Sequence, residues 1–227
     1  MGYYPVPIES DSHGNHAVSQ TQAVGLSDLH YVAAMRRVYG FINIVDDTRL
    51  EQLRNQAVML HGPDEVYAAL DRMATGIETT LEGTLPVVLV ILTGGIIPAG
   101  HLLTRLRLPL EIDYLHATRY RGETSGADTI DWLCEPRIPL AGRTVLIVDD
   151  ILDEGHTLRA IIEHCHQAGA QRTCTAVLVE KRHERRTPGV AADFVGLEVA
   201  DRYVFGFGMD YKGYLRNLNG IFTLDTE

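Results

Sequence analysis

A chain of 227 residues is the size of one domain, or of one domain with a small appendage. Hydrophobic residues make up 45% and charged residues 22%, an ordinary globular mixture that argues against wholesale disorder and fibrous repeats. A formal net charge of -10 argues against a nucleic-acid backbone as ligand, because that contact needs a basic face to release counterions. No run of about eighteen apolar residues occurs, and residues 1–22 lack a basic region followed by an apolar one, so neither membrane insertion nor secretion is expected. Cys134, Cys165 and Cys174 stand in no metal-ligand spacing and suit free or buried thiols, which makes a reducing, cytoplasmic setting the expectation.

Residues 1–26 hold Pro5, Pro7, Ser10, Asp11 and Gly14 without periodicity and read as a poorly ordered arm. Ser27 can cap a helix that stops at Gly40. A second helix is expected from Pro63, with Val66, Ala69, Leu70, Met73 and Ile77 on one face. Residues 87–92, VVLVIL, form a continuous apolar run, the mark of a strand buried on both faces of a parallel sheet. The run stops at Thr93-Gly94-Gly95, and residues 96–105 read as a helix with Pro98 in its first turn. Residues 110–120 alternate as a strand, and residues 121–126, RGETSG, are too polar to pack and read as a mobile loop. Strand, turn and helix recur at residues 144–148, Asp149-Asp150 and residues 156–167, with a third strand at 175–179. This alternation predicts an α/β domain with a parallel sheet and ligands beyond the carboxyl ends of its strands. Residues 193–223, broken by Gly196, Gly206, Gly208 and Gly213, suggest a separate small lobe.

The chemistry is concentrated in residues 145–157, VLIVDDILDEGHT. Side chains of successive strand residues point to opposite faces, so Asp149 and Asp150 cannot both be idle at the edge of an apolar strand. Paired carboxylates suit vicinal ribose hydroxyls and a hydrated magnesium ion, which prefers oxygen ligands. Gly155 frees backbone N–H groups to meet a phosphate, Thr157 adds a hydroxyl, and the following helix presents its positive end. A lone Asp before a helix would ordinarily be only a cap.

The whole string resembles the signature of the type I phosphoribosyltransferases that binds phosphoribosyl pyrophosphate (PRPP), and the resemblance covers roughly residues 87–222. Within that family the chain is similar to the hypoxanthine-guanine branch. The resemblance implies a twisted parallel sheet flanked by helices, residues 27–227 as the transferase domain, and a small hood drawn from regions near 27–60 and 193–223. It implies Mg²⁺-dependent transfer of phosphoribose from PRPP to N9 of a 6-oxopurine, giving IMP or GMP in purine salvage. Homodimers or homotetramers are also expected of the family.

Residue by residue, the resemblance makes Asp153 the acid/base group near N7 of the purine. Asp149, Asp150, Glu154, Gly155, His156 and Thr157 become the ribose-phosphate cradle. Thr93, Gly94, Gly95 and Arg216 become pyrophosphate contacts. Lys181 donates to the 6-oxo group, Tyr203 stacks on the base, and the backbone of Val204 bonds its edge. Asp210 joins Asp149 and Asp150 beside the metal, and Arg119 and Tyr120 open the lid. Lys181 and Lys212 are the only lysines of the chain, which singles out Lys181 further. The chain departs from the family at Glu154, where a small hydroxyl is frequent, and at His156, where lysine is. Thr93 and Arg119 replace a lysine and a serine of some relatives, which puts PRPP affinity and lid chemistry in question. Two other readings stay open: transfer to another base such as xanthine, and a PRPP-sensing regulator without catalysis. Lys181 disfavours adenine, and a regulator would need a basic face that the sequence lacks.

Overall fold

The structure, a computed structural model, describes residues 47–120 and 129–224. The arm at 1–26, the helix expected between Ser27 and Gly40, and the polar stretch 121–126 lie outside the described residues, as do the side chains of Arg119 and Tyr120.

Helix α1 (Asp47–Gln56) leads into β1 (Ala57–His61), neither of which the sequence reading anticipates. Helix α2 (Pro63–Leu81) begins where Pro63 predicts, and Glu65 accepts the Gly62 backbone N–H at 3.0 Å to close its first turn. Its expected face is the one that is buried, with Val66, Leu70 and Ile77 at 0% exposure. Strand β2 (Val87–Leu92) and helix α3 (Ile96–Leu103) follow, the helix ending two residues earlier than the pattern suggests. Next come β3 (Glu111–Tyr120), β4 (Thr129–Cys134), β5 (Thr144–Leu152) and α4 (His156–Gln167). The chain closes with β6 (Arg172–Arg182), β7 (Phe194–Ala200), β8 (Val204–Phe205) and β9 (Ile221–Leu224).

Six strands form one sheet in the order β4-β3-β2-β5-β6-β7, parallel throughout except for β4. One face carries a core in which Val88, Val90, Leu146 and Val148 meet α2 and α3. The other face places Leu89, Val145 and Ile147 against Leu158, Ile161 and Cys165 of α4. Because both faces are covered, β2 and the first half of β5 are apolar without alternation. A second, antiparallel sheet, β1-β9-β8, gathers Phe205, Tyr211, Leu215 and Leu224 into its own small core, against which Leu50 and Leu53 of α1 pack.

Two expectations need correction. Residues 193–223 are not wholly a separate lobe: β7 is the edge strand of the main sheet, paired with β6 from Ala176↔Phe194 to Arg182↔Ala200. Only β8 and β9 enter the small sheet, which β1 completes from the other end of the described chain. Strands β5 and β6 also run further than predicted, so Asp149, Asp150 and Lys181 lie within strands rather than in the loops after them. Hydrogen bonding to neighbouring strands keeps these polar residues extended where propensity alone would have ended the strand.

Candidate active site

A cavity of about 430 Å³ opens beyond the carboxyl ends of β2 and β5, lined by Thr93, Gly94, Asp149, Asp150, residues 153–157, Asp210 and Arg216. A second, of about 160 Å³, adjoins it and is lined by Lys181, Tyr203, Val204 and Met209. Asp150, Ile151, Asp153 and Asp210 line both. The predicted cradle and pyrophosphate residues therefore meet in the larger space, apart from Gly95, and the predicted base residues meet in the smaller. Gly95 packs behind the turn, its N–H bonded to the Ile91 carbonyl at 2.9 Å.

The turn after β2 is built against the carboxylate pair. A Cβ on Gly94 would lie 2.0 Å from Asp150 Oδ2, so only glycine lets the turn approach that carboxyl. Gly208 in turn sits on the Gly94 carbonyl, which a Cβ there would meet at 2.3 Å. The Leu92–Thr93 peptide is cis. Asp149 Oδ1 accepts the Asp150 backbone N–H at 2.9 Å. Burial raises the Asp149 carboxyl well above the ordinary value, and the Asp150 charge adds to the effect. Asp150 is raised as well, again by burial, although its bond to Asp149 and the Arg216 charge oppose the rise.

Arg216 ties the hood to this pair. Its guanidinium donates to the Gly208 carbonyl at 2.6 Å, pairs with Asp210 Oδ1 at 2.8 Å and reaches within 3.8 Å of Asp150 Oδ2. Asp210 Oδ2 accepts the Gly213 N–H at 2.6 Å. Among the described residues no three His, Cys, Asp or Glu side chains converge to hold a metal by themselves, so Asp149, Asp150 and Asp210 are not a closed cage. Magnesium does not require one, since it usually keeps several waters and takes one or two carboxylates plus substrate phosphates. The Asp149–Asp150 pair, with Asp150 buried and Asp149 half-buried, supplies hard oxygen donors whose ionised form a cation would favour, and so fits that ion.

At the start of α4, Gly155 has φ +87°, a left-handed conformation that turns the loop into the helix. The departure at Glu154 has a local explanation: its carboxylate lies 3.5 Å from His156 Nε2 and 3.7 Å from Arg185 Nε, away from solitary exposure in the loop. Arg185 also grips Asp201 through two bonds of 2.6 and 3.0 Å.

The wall between the two cavities holds Asp153. Lys181 Nζ donates to its Oδ2 at 2.7 Å, and His183 Nε2 lies 2.8 Å from its Oδ1. Burial alone would raise this carboxyl, but Lys181 and then His183 outweigh it and hold it below the ordinary value. Arg186 steadies the strand end, pairing with Glu180 at 2.7 Å and donating to the Lys181 carbonyl at 2.8 Å. Tyr203 is 41% exposed, its hydroxyl donating to the Asp210 carbonyl at 2.9 Å and its ring edge-on to Tyr211. An exposed ring braced in this way has a face on which a planar ligand can stack. The sequence reading missed His183, Arg185 and Arg186. The signal available was their place, in a polar KRHERR run that begins at Lys181 and leads out of β6.

A carboxylate pair suited to vicinal hydroxyls, set between two backbone turns that can each receive a phosphate, is the geometry of a sugar-phosphate site. The phosphoribosyl transferase domain family matches residues 59–212, more than half of the chain, and the protein belongs to that family. It is 33% identical to the hypoxanthine-guanine phosphoribosyltransferase of Staphylococcus epidermidis over 137 residues, 60% of this chain and 76% of the relative. The corresponding enzyme of Bacillus subtilis is 27% identical over 160 residues, 70% of this chain and 88% of the relative. A crystal structure of hypoxanthine phosphoribosyltransferase from Staphylococcus aureus superposes with a TM-score of 0.72 at 26% identity, covering 77% of this chain and 95% of that one.

Proposed function

We infer that the protein transfers the 5-phosphoribosyl group of PRPP to N9 of hypoxanthine or guanine, releasing pyrophosphate and forming IMP or GMP in purine salvage. The family, the named relatives and the fold all support this reading. The observation that carries it is the Lys181–Asp153 pair, with Asp153 on the wall shared by the two cavities and Lys181 lining the smaller, since it sets an oxo-directed donor and a proton acceptor where sugar and base would meet.

In the reaction N9 attacks C1 of the ribose from the face opposite the leaving group, and the bond from C1 to pyrophosphate breaks. Lys181 donates to the purine 6-oxo oxygen, Asp153 accepts the proton that N7 gives up, Tyr203 stacks on the ring and the Val204 backbone meets its edge. Asp149 and Asp150 accept from the ribose 2- and 3-hydroxyls, and the turn at residues 154–157 receives the 5-phosphate. The turn at residues 93–95 and Arg216 meet the departing pyrophosphate, whose charge a forked guanidinium fits. Arg119 and Tyr120 would begin the lid that excludes water. Asp149 and Asp150, with Asp210 near, would hold Mg²⁺, which supplies charge neutralisation on the pyrophosphate oxygens when bound.

A cytoplasmic location and self-association as a homodimer or homotetramer belong to the same reading. The cysteines fit a reducing compartment: all three are free, and burial pushes the Cys165 thiol up to about 11. Exposed Ile112, Tyr114 and Leu133 offer apolar surface for a partner subunit, which light scattering would test. No helix among the described residues is long and apolar enough to cross a membrane.

Incubation with PRPP, Mg²⁺ and each base in turn, with pyrophosphate release as the readout, tests the activity directly. Hypoxanthine or guanine should exceed adenine in kcat/KM by roughly 10⁴-fold, because a 6-amino group would set donor against the Lys181 donor. Equal use of adenine would overturn the base assignment, and binding of PRPP without turnover of any base would indicate a sensor.

A further inference from the structure

Asp153 is held from two sides by groups of different character. Its carboxylate is 42% exposed, whereas the His183 side chain is 3% exposed and that of Lys181 12%. His183 lines neither cavity, although both Asp153 and Lys181 do. The ring therefore reaches substrate only through Asp153.

The tautomer of His183 follows from its other nitrogen. The Arg185 backbone N–H donates to Nδ1 at 3.1 Å. A backbone N–H can only donate, so Nδ1 accepts, and a neutral ring must carry its proton on Nε2, 2.8 Å from Asp153 Oδ1. The turn that follows β6 thus fixes both the orientation of the imidazole and the direction of its hydrogen bond. Lys181 is bound to the opposite oxygen, Oδ2, and is also the group that faces an incoming 6-oxo acceptor. A base that draws the ammonium away leaves Asp153 with one partner.

We propose that His183 is a positioning residue for the transfer: its Nε2–H anchors Oδ1 of Asp153, so that Oδ2 stays aimed at the purine when Lys181 turns to the oxo group. This rests on the reading of Asp153 as the acceptor of the purine proton. His183 lies in the KRHERR segment that begins at Lys181, outside the string at residues 145–157 that holds Asp153.

Two variants of similar volume separate anchoring from packing. His183→Gln keeps an amide donor near the position of Nε2, and His183→Leu has none. With hypoxanthine, PRPP and Mg²⁺, the single-turnover rate of His183→Leu should fall roughly tenfold or more below that of His183→Gln, the effect of losing one hydrogen bond to a charged group. PRPP affinity should agree between the two within about twofold, since the proposed cradle does not include His183. Equal single-turnover rates in the Leu and Gln variants overturn the proposal. If His183→Leu does not fold, ¹⁵N NMR of the imidazole in the unaltered protein decides: the Nε2–H tautomer supports the anchor, and the Nδ1–H tautomer overturns it. Asp153→Asn distinguishes the two layers of inference. An unchanged single-turnover rate there refutes the role of Asp153 itself, whereas a slowed Asp153→Asn beside matching His183 variants refutes the anchor alone.

Discussion

Asp153 carries two duties that a single side chain seldom combines, closing an ion pair with Lys181 and facing both cavities. Replacement by asparagine keeps the size of the side chain and an oxygen for Lys181 but removes the capacity to take a proton. The single-turnover rate of Asp153→Asn should fall by about 10²- to 10⁴-fold, the ordinary contribution of a positioned acid or base. PRPP affinity, read by calorimetry, should change little, because the turn at Gly155 and the Asp149–Asp150 pair do not depend on Asp153 ionisation. A rate within about threefold of the parent, well below that range, would reduce Asp153 to a structural partner of Lys181. Lys181 has its own expectation at this scale. Lys181→Gln should narrow the preference for hypoxanthine over adenine, since an amide can present either a donor or an acceptor where the ammonium only donates.

At the scale of elements, the turn between β2 and α3 is shaped by what lies beneath it. Gly94→Ala would drive a methyl group into the Asp150 carboxylate, and the carboxylate has little room to yield because Arg216 and the Gly208 turn close over it. Overpacking of this kind typically costs about 1 to 3 kcal/mol of stability. The variant should therefore unfold at lower denaturant and bind PRPP more weakly; parent-like values of both would mean that the turn relaxes freely. This contact illustrates what the sequence conveys and what it withholds. The glycine pair after VVLVIL marks a turn near an anion site, but nothing in residues 93–95 announces that Asp150, far along the chain, fills the space a side chain would need. Periodicity located α2, β2 and α4 because their burial follows from their own neighbours. It missed β1, whose exposed Val58 and Met59 form a strand only through pairing with β9, and it cut β5 and β6 short where sheet bonding overrides the preference of Asp, Glu and Lys for other conformations. That the residues assigned to cradle, turn and base, apart from Gly95, line two adjoining cavities was legible as a set, because their spacing matches a family signature. His183 was not, since its contact with Asp153 spans β6 and has no sequence period.

At the scale of the whole molecule, the desolvated carboxylate pair couples the site to global stability. Asp149 is raised well above its ordinary value of 3.8, first by burial and then by Asp150. A carboxyl raised on folding binds its proton more tightly in the folded chain than in the unfolded one. Its stabilising contribution is complete below 3.8 and is lost as pH rises toward and through the folded value, so above the ordinary carboxylate range this group costs the free protein stability. Asp149→Asn removes that cost while keeping an oxygen to accept the Asp150 N–H. In the absence of ligand the variant should melt at a higher temperature than the parent at pH 8, and the gap should close as pH falls toward the ordinary carboxylate range. Saturating PRPP and Mg²⁺ should reverse the order. The parent gains about 2.7 kcal/mol at a hundredfold excess over its Kd, whereas the variant, having lost a charged acceptor for ribose hydroxyls and metal, gains less. Melting curves at three pH values, with and without PRPP and Mg²⁺, check both halves. Equal midpoints at pH 8 would show that the pair is not strained in the free protein, and an order unchanged by PRPP would separate Asp149 from the ligand. If both halves hold, the instability of the free site is the same physical quantity that ligand binding relieves, because the charge of Mg²⁺ and the ribose hydroxyls of PRPP replace the solvation that folding removed from the pair.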